Sequence, residues 1–172
     1  SELQRLGLGS EDDLVVDVAP GYILQAGLPY SHSDVAIVLD DEPTDVPERY
    51  RDPERAARLV SVVGDAVNPG GLVDAPARAW DVQDRVRDAG CRVAVFATDD
   101  RISTKDKKVA AAAAWVSDGR VVIEHADGLL ERDPLREDTP VAAQVAAALC
   151  AFGLSEIEPR VPASPATARG VA

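Results

Sequence analysis

Two short, mainly apolar runs near the start of the chain constrain its fold more than any other feature. They are Leu14-Val15-Val16-Asp17-Val18 and Val35-Ala36-Ile37-Val38-Leu39. Neither alternates polar with apolar residues. Each therefore reads as a strand covered on both faces, as in a parallel sheet between helices. Pro20-Gly21 breaks the first run, and Tyr22 to Ala26 leaves room for one or two helical turns before Gly27. The expected strands span about 13–18 and 34–39. Both end in acids, Asp17 in the first and Asp40 with Asp41 after the second. Open α/β sheets bind ligands at the carboxyl ends of their strands, so a site is expected there.

The remaining chain continues the pattern. Residues 40–53 hold three prolines and many acids, which predicts a surface loop. Ala57, Leu59, Val60, Val62, Val63, Ala66 and Val67 form a helical stripe over 54–67, with Asp52 as N-cap and Pro53 in the first turn. Asn68-Pro69-Gly70-Gly71 ends it, and Leu72-Val73-Asp74 is a short strand. A second helix is expected over 77–89, with Trp80, Val82 and Val86 inward and Gly90 at C′. Cys91 to Ala97 reads as a strand and 98–108 as a loop. The alanine run before Trp115 favours helix by propensity. Asp118-Gly119 between apolar segments is nevertheless a hairpin signal, so strands are expected on both sides of it. After a polar link, 139–152 reads as a helix with Thr139 as N-cap and Gly153 at C′. The fold class is α/β: a three-layer, mostly parallel sheet flanked by helices, with a β-hairpin near residues 113–125. Residues 1–12 read as a polar tail, 13–158 as the domain, and 159–172 as a flexible tail rich in Pro, Ala and Ser.

The 172 residues suffice for one domain with a real core, and 46% of them are apolar. A net charge of −12 argues against a general grip on nucleic-acid phosphates. No apolar run approaches the ~18 residues of a membrane span, and no signal peptide is visible, so a cytoplasmic protein is expected. Cys91 and Cys150 read as buried free thiols. With two histidines they match no zinc spacing. Ser1 and the absence of methionine are expected of a processed or trimmed terminus.

The chain also resembles a known family. Asp17-Val18-Ala19-Pro20-Gly21-Tyr22-Ile23-Leu24, then Gly27-Leu28, then Asp34-Val35-Ala36-Ile37-Val38 look like the middle of the central ATPase domain of Mur ligases. The likeness is to the cyanophycin-synthetase branch and extends in order over about 13–158. It implies an ATP-dependent amide ligase that activates a carboxylate as an acyl phosphate. It also implies departures. The dipeptide Gly-Lys of the family's phosphate loop is absent, and that loop's amides and lysine hold the β- and γ-phosphates. The family's metal-binding glutamate is matched by Asp17. Its Asp-His becomes Asp45-Val46, its Asn-Ala-Asp-Asp becomes Val73-Asp74-Ala75-Pro76, and its adenine-holding asparagine falls near Val141. The resemblance thus implies the second half of such a domain with eroded nucleotide contacts. No cofactor is expected for the isolated chain, and ATP with magnesium only if a partner completes it. A protein partner or a homo-oligomer is expected.

No catalytic residue is assigned. Asp17, Asp40, Asp41 and Asp45 are the candidate metal ligands, against the plainer reading of capping and solvated loop acids. Lys105, Lys107 and Lys108 are candidate phosphate contacts or simply a charged loop. His32 and His125 read as turn and surface residues. Ser31 and Ser33 have no discernible His/Asp arrangement. A rival reading takes Val38-Leu39-Asp40-Asp41-Glu42-Pro43 as the acidic opening of a phosphoreceiver domain, with Asp99 or Asp100 as acceptor.

Overall fold

The computed structural model describes residues 14–99, 102–126, 128 and 130–155, and the fold is built from these. Six strands form one sheet in sequential order. They are β1 (Ser33–Ile37), β2 (Val67–Pro76), β3 (Arg92–Phe96), β4 (Ala112–Ser117), β5 (Arg120–His125) and β6 (Leu130–Pro134). The helices are α1 (Pro20–Ala26), α2 (Pro53–Val60), α3 (Trp80–Asp88), α4 (Thr104–Val109) and α5 (Val141–Ser155). The fold is a three-layer α/β arrangement, as expected, but its sheet is mixed rather than mostly parallel. β1 to β4 are mutually parallel, whereas β5 and β6 pair antiparallel.

Handedness explains the layers. Parallel crossovers are right-handed, so strands added in one direction place their connecting helices on one face. Ala57 and Val60 of α2, Val82 and Val86 of α3, and Ile102 and Ala110 beside α4 share one core with Ala36, Val73, Val93 and Val95. The other face carries α5, whose Val145, Leu149 and Phe152 pack with Leu72, Ala94, Phe96, Ala114 and Ile123. With few aromatics, the core is filled by β-branched residues and alanine. The alanine run becomes β4 because its Ala112, Ala113 and Ala114 lie between two covered faces, each at most 2% exposed. Burial overrides their helix propensity.

Local signals operate where expected. Asp52 accepts from the Arg55 amide at 3.4 Å, Pro53 opens α2, and α2 continues as a 3-10 turn over Ser61–Ala66. At the end of α3, Gly90 has φ +87°. Its amide donates to Arg87 O, and that of Cys91 to Val86 O, which completes a Schellman motif. Asp118 (φ 51°) and Gly119 (φ 69°) are both left-handed, as the two-residue hairpin between β4 and β5 requires.

Six expectations are corrected. Leu14–Val18 joins no strand, and Val15 is 92% exposed. Residues 98–108 contain α4, started by Ser103, whose hydroxyl accepts from the Asp106 amide and donates to the Asp106 carboxylate. The polar link contains β6. Trp80 is 43% exposed rather than inward, because it stands in the first turn of α3 at the sheet rim. Gly153 is not a cap but a buried residue within α5. A Cβ there would come within 2.9 Å of Leu72 Cδ2 and 3.0 Å of Val35 Cγ2, so its absence lets α5 lie close on the sheet. Cys91, just before β3, and Cys150 are each half-buried rather than buried as expected. The expected tails at 1–12 and 159–172 lie outside the described residues.

Candidate functional site

The loops leaving the carboxyl ends of β1 and β2 enclose an open cleft of about 560 Å³. Its walls are the loop from Asp41 to Thr44, the first turns of α2 and α3, and the segment from Arg78 to Val82, with Arg51 at one side. The sheet positions it: β1 and β2 are parallel neighbours, so both chains leave the sheet on the same rim. The apolar floor is Ala56, Ala57, Ala79 and Val82, and the charged groups stand above it.

Arg78 organises the mouth. Its Nε and Nη2 donate to Asp41 Oδ1 at 3.2 and 2.9 Å, and Nη2 also donates to Asp40 Oδ1 at 3.2 Å. Two of the four candidate acids are thus brought together by an arginine between them. Arg51 shapes the loop by donating to the carbonyls of Val46 (3.2 Å) and Thr44 (2.9 Å). Buried Gln83 fixes the turn from β2 into α3. Its Nε2 donates to the carbonyls of Pro76 and Ala77 at 2.9 and 3.1 Å, and its Oε1 accepts from Arg87. Trp80 stands at the rim with Lys105 Nζ 4.6 Å from its ring centroid, within cation–π range. The cleft therefore presents a flat aromatic face beside paired charges of both signs.

The other candidates are dispersed. Asp45 Oδ2 accepts from the Gly21 amide at 2.7 Å and so ties α1 to the loop after β1. A Cβ at Gly21 would strike this carboxylate and the Asp45 carbonyl at 2.7 Å, which explains the glycine. Asp17 is exposed in the unpaired segment before α1. Among the described residues, no three His, Cys, Asp or Glu side chains are grouped to hold a metal ion. Lys107 donates to Glu124 Oε2 at 2.8 Å and lies 3.5 Å from the Trp115 ring centroid, and Lys108 is exposed. Ser31, His32 and Ser33 enter β1 at its amino end, and His125 ends β5 opposite Ala112 at the start of β4. Both histidines are thus on the rim opposite the cleft. Asp99 follows β3, separated from β1 by β2, and Asp100 lies outside the described residues.

The sequence points neither to Arg78 nor to Gln83 in the cleft, and it names Asp74 without showing its burial. Arg78 lies four residues after the predicted Leu72-Val73-Asp74 strand, so its signal is a cation close to a strand's carboxyl end. Gln83 had no signal beyond its place on the inward stripe of α3. Asp74 had a signal, an acid inside an apolar run. It is fully buried on β2, neither carboxylate oxygen has a hydrogen-bond partner, and desolvation pushes its pKa well above the usual carboxylate value. Strand alternation places Asp74 with Leu72 on the α5 side, away from the cleft.

Arg78→Ala tests how the cleft mouth is held. The Arg78 side chain is 65% exposed. Removing such a surface cation is expected to change unfolding free energy by less than about 1 kcal/mol. Urea denaturation of the variant measures this, and a much larger loss would mean the mouth is a structural cluster rather than a solvated one.

The fold and cleft together define an α/β protein with a mixed sheet and a solvent-open cleft at the carboxyl ends of its first two strands. No known family model matches the chain. Comparison with curated proteins likewise gave no significant match. No described helix is long and apolar enough to cross a membrane.

Proposed function

We propose that the chain is a Mur-ligase-like component that holds no nucleotide alone and works, if catalytically, only with a partner bearing a phosphate loop. The observation that carries this reading is the open edge of β1. The described sheet ends there, on the side where the segment carrying Asp17 precedes it in the chain. The backbone groups along an unpaired strand edge can pair with a further strand. The cleft lies at the carboxyl end of this same strand, so an added strand would bring new groups to its mouth. In the completed assembly, ATP and magnesium would bind between the partner's loop and the acids at this rim, with Asp40 and Asp41, which the structure brings together, as the nearest candidates for the metal. The chemistry would be carboxylate activation followed by amide formation.

The receiver reading has less support. In the flavodoxin-like order the first strand is central and lies beside the third. Here β1 is at the edge and β2 separates it from β3.

Native mass spectrometry of the protein recovered gently from its own host tests the proposal. The lone chain is expected to gain no mass from ATP and magnesium, and a co-isolated polypeptide with a phosphate loop is expected to restore nucleotide binding. Stoichiometric ATP·magnesium on the lone chain would overturn it.

A further inference from the structure

We propose that Asp74 is a charge-sensitive latch for α5. When its carboxyl ionises, α5 lifts off the sheet as a unit while the strands and the helices of the other face stay folded. The inference leaves the edge of β1 open and involves no nucleotide and no partner, so it stands apart from the functional reading.

Asp74 is closed to solvent, and neither of its carboxylate oxygens has a hydrogen-bond partner. On β2 it alternates with Val73 and Ala75, which belong to the core shared with α2 and α3. It therefore shares the α5 face with Leu72. Its register neighbours are Ile37 on β1 and Ala94 on β3. Arg92 stands two residues before Ala94 on that face and makes no hydrogen bond to Asp74. α5 contains no Asp, Glu, Lys, Arg or His, and Cys150 is its one titratable side chain. His125 ends β5, three strands away, with its ring 4.7 Å from that of Phe152. The link before α5 carries Arg136, Glu137 and Asp138, all exposed. A charge on Asp74 would thus lie under an uncharged helix with no donor to receive it.

Such a charge is relieved by whichever element uncovers Asp74 most readily. α2, α3 and α4 each lie between two strands. Among the described residues, α5 is joined to the sheet only through residues 135–140. Gln144 binds this link to the helix. Its Nε2 donates to the carbonyls of Arg136 and Thr139 at 2.9 and 2.7 Å, and its Oε1 accepts from the Arg136 amide at 2.7 Å. Leu135 is tied to the hairpin instead, its amide donating to Gly119 O at 3.2 Å. The boundary of the moving unit therefore falls between Leu135 and Arg136, and link and helix move together. Val145, Leu149 and Phe152 hold α5 down by apolar contact, which does not compensate a charge beneath it.

The direction follows from burial. In the lifted state Asp74 meets water and regains an ordinary carboxylate pKa, whereas in the seated state burial keeps it higher. The seated form is fully favoured below the ordinary value. It loses ground as pH rises, by about tenfold per unit, until the seated-state value is passed.

Native-state amide exchange followed by NMR on the intact chain tests the latch. It is run from pH 4 to 7 at low urea, with rates expressed relative to the intrinsic rate at each pH. The Leu149 and Phe152 amides are expected to be less protected than those of Val73 and Val93. They should also respond less to urea, because a lifted helix exposes less surface than the unfolded chain. Their protection is expected to fall by at least about fivefold from pH 4 to 7, and to stay level in Asp74→Asn. Asp74→Val serves in the same way should asparagine disturb β2. One shared protection and urea dependence for α5 and the sheet would overturn the inference, since Asp74 would then act only through global unfolding. Helix protection that ignores pH, or that falls equally in the variants, would overturn it too.

Discussion

Asp74→Asn is expected to stabilise the protein at alkaline pH and to leave it nearly unchanged near pH 4. The physical reason is a carboxyl group with no hydrogen-bond donor in a site fully closed to solvent on a central strand. Burial favours the neutral form, so the folded-state pKa lies well above the value in the unfolded chain. A group shifted in this direction contributes its full stability below the unfolded-state pKa. That contribution is lost as pH rises through the folded-state value. Each pH unit within this window costs the wild type about 1.4 kcal/mol. Asparagine carries no titratable proton and removes the dependence. The gap between variant and wild type should therefore widen steadily with pH, to at least about 1 kcal/mol by neutrality. Denaturant unfolding of both proteins from pH 4 to 8 measures it. A pH-independent gap would mean that Asp74 is charged and compensated in solution, and so in contact with a donor.

Gly71→Ala is expected to be the most damaging of the small substitutions. β1 and β2 do not pair evenly: Ser33 is opposite Val67 but Val35 is opposite Leu72. The extra residues of β2, including Asn68-Pro69-Gly70-Gly71, bulge out between these two pairs. Gly71 turns back into the sheet, where an added Cβ would collide with the Asp34 carbonyl and approach Val67 Cγ1 to 2.6 Å and Asn68 O to 3.0 Å. Two of these are backbone oxygens and cannot rotate away. Relief requires shifting β1 itself, so a loss of about 2–3 kcal/mol is expected. Gly70→Ala is the control. It meets nothing within 4 Å, and only its left-handed φ of +84° penalises a side chain, by about 1–2 kcal/mol. Equal losses for the two variants would show that the bulge is set by backbone conformation alone and not by its contact with β1.

Much of the fold was legible because local chemistry and tertiary packing agree there. The Asp52 cap, the Gly90 turn and the Asp118-Gly119 hairpin depend on a few neighbouring residues, and each stands as read. The hairpin also outweighed the helix propensity of the alanines before it, since β5 and the two covered faces demand a strand. α4 was equally local, and its Ser103-x-x-Asp106 box was an available signal that went unused. β6 had no such signal. LERDP carries little apolar character, and it becomes a strand only because β5 offers it an edge.

The candidate site was legible in position but not in composition. The expectation of a site beyond the carboxyl ends of the strands placed Asp40 and Asp41 at the cleft. What they do there depends on Arg78, which lies far away in sequence and arrives only because β2 pairs with β1. Asp45 was read as a possible ligand and instead accepts a backbone amide, a partner invisible to any reading of side-chain types.

By itself, then, the sequence determined the α/β class, most of the alternation of elements, the Asp52 cap, the Gly90 turn and the hairpin, because these follow from periodicity and near-neighbour chemistry. Only the tertiary structure decided which strand stands at the edge, that Leu14–Val18 is left outside the sheet, that Gly153 is a contact rather than a cap, and that Asp74 is sealed without a partner. Each of those depends on groups many residues apart meeting across the sheet, where pairing and exclusion of water set the energies and local propensity does not.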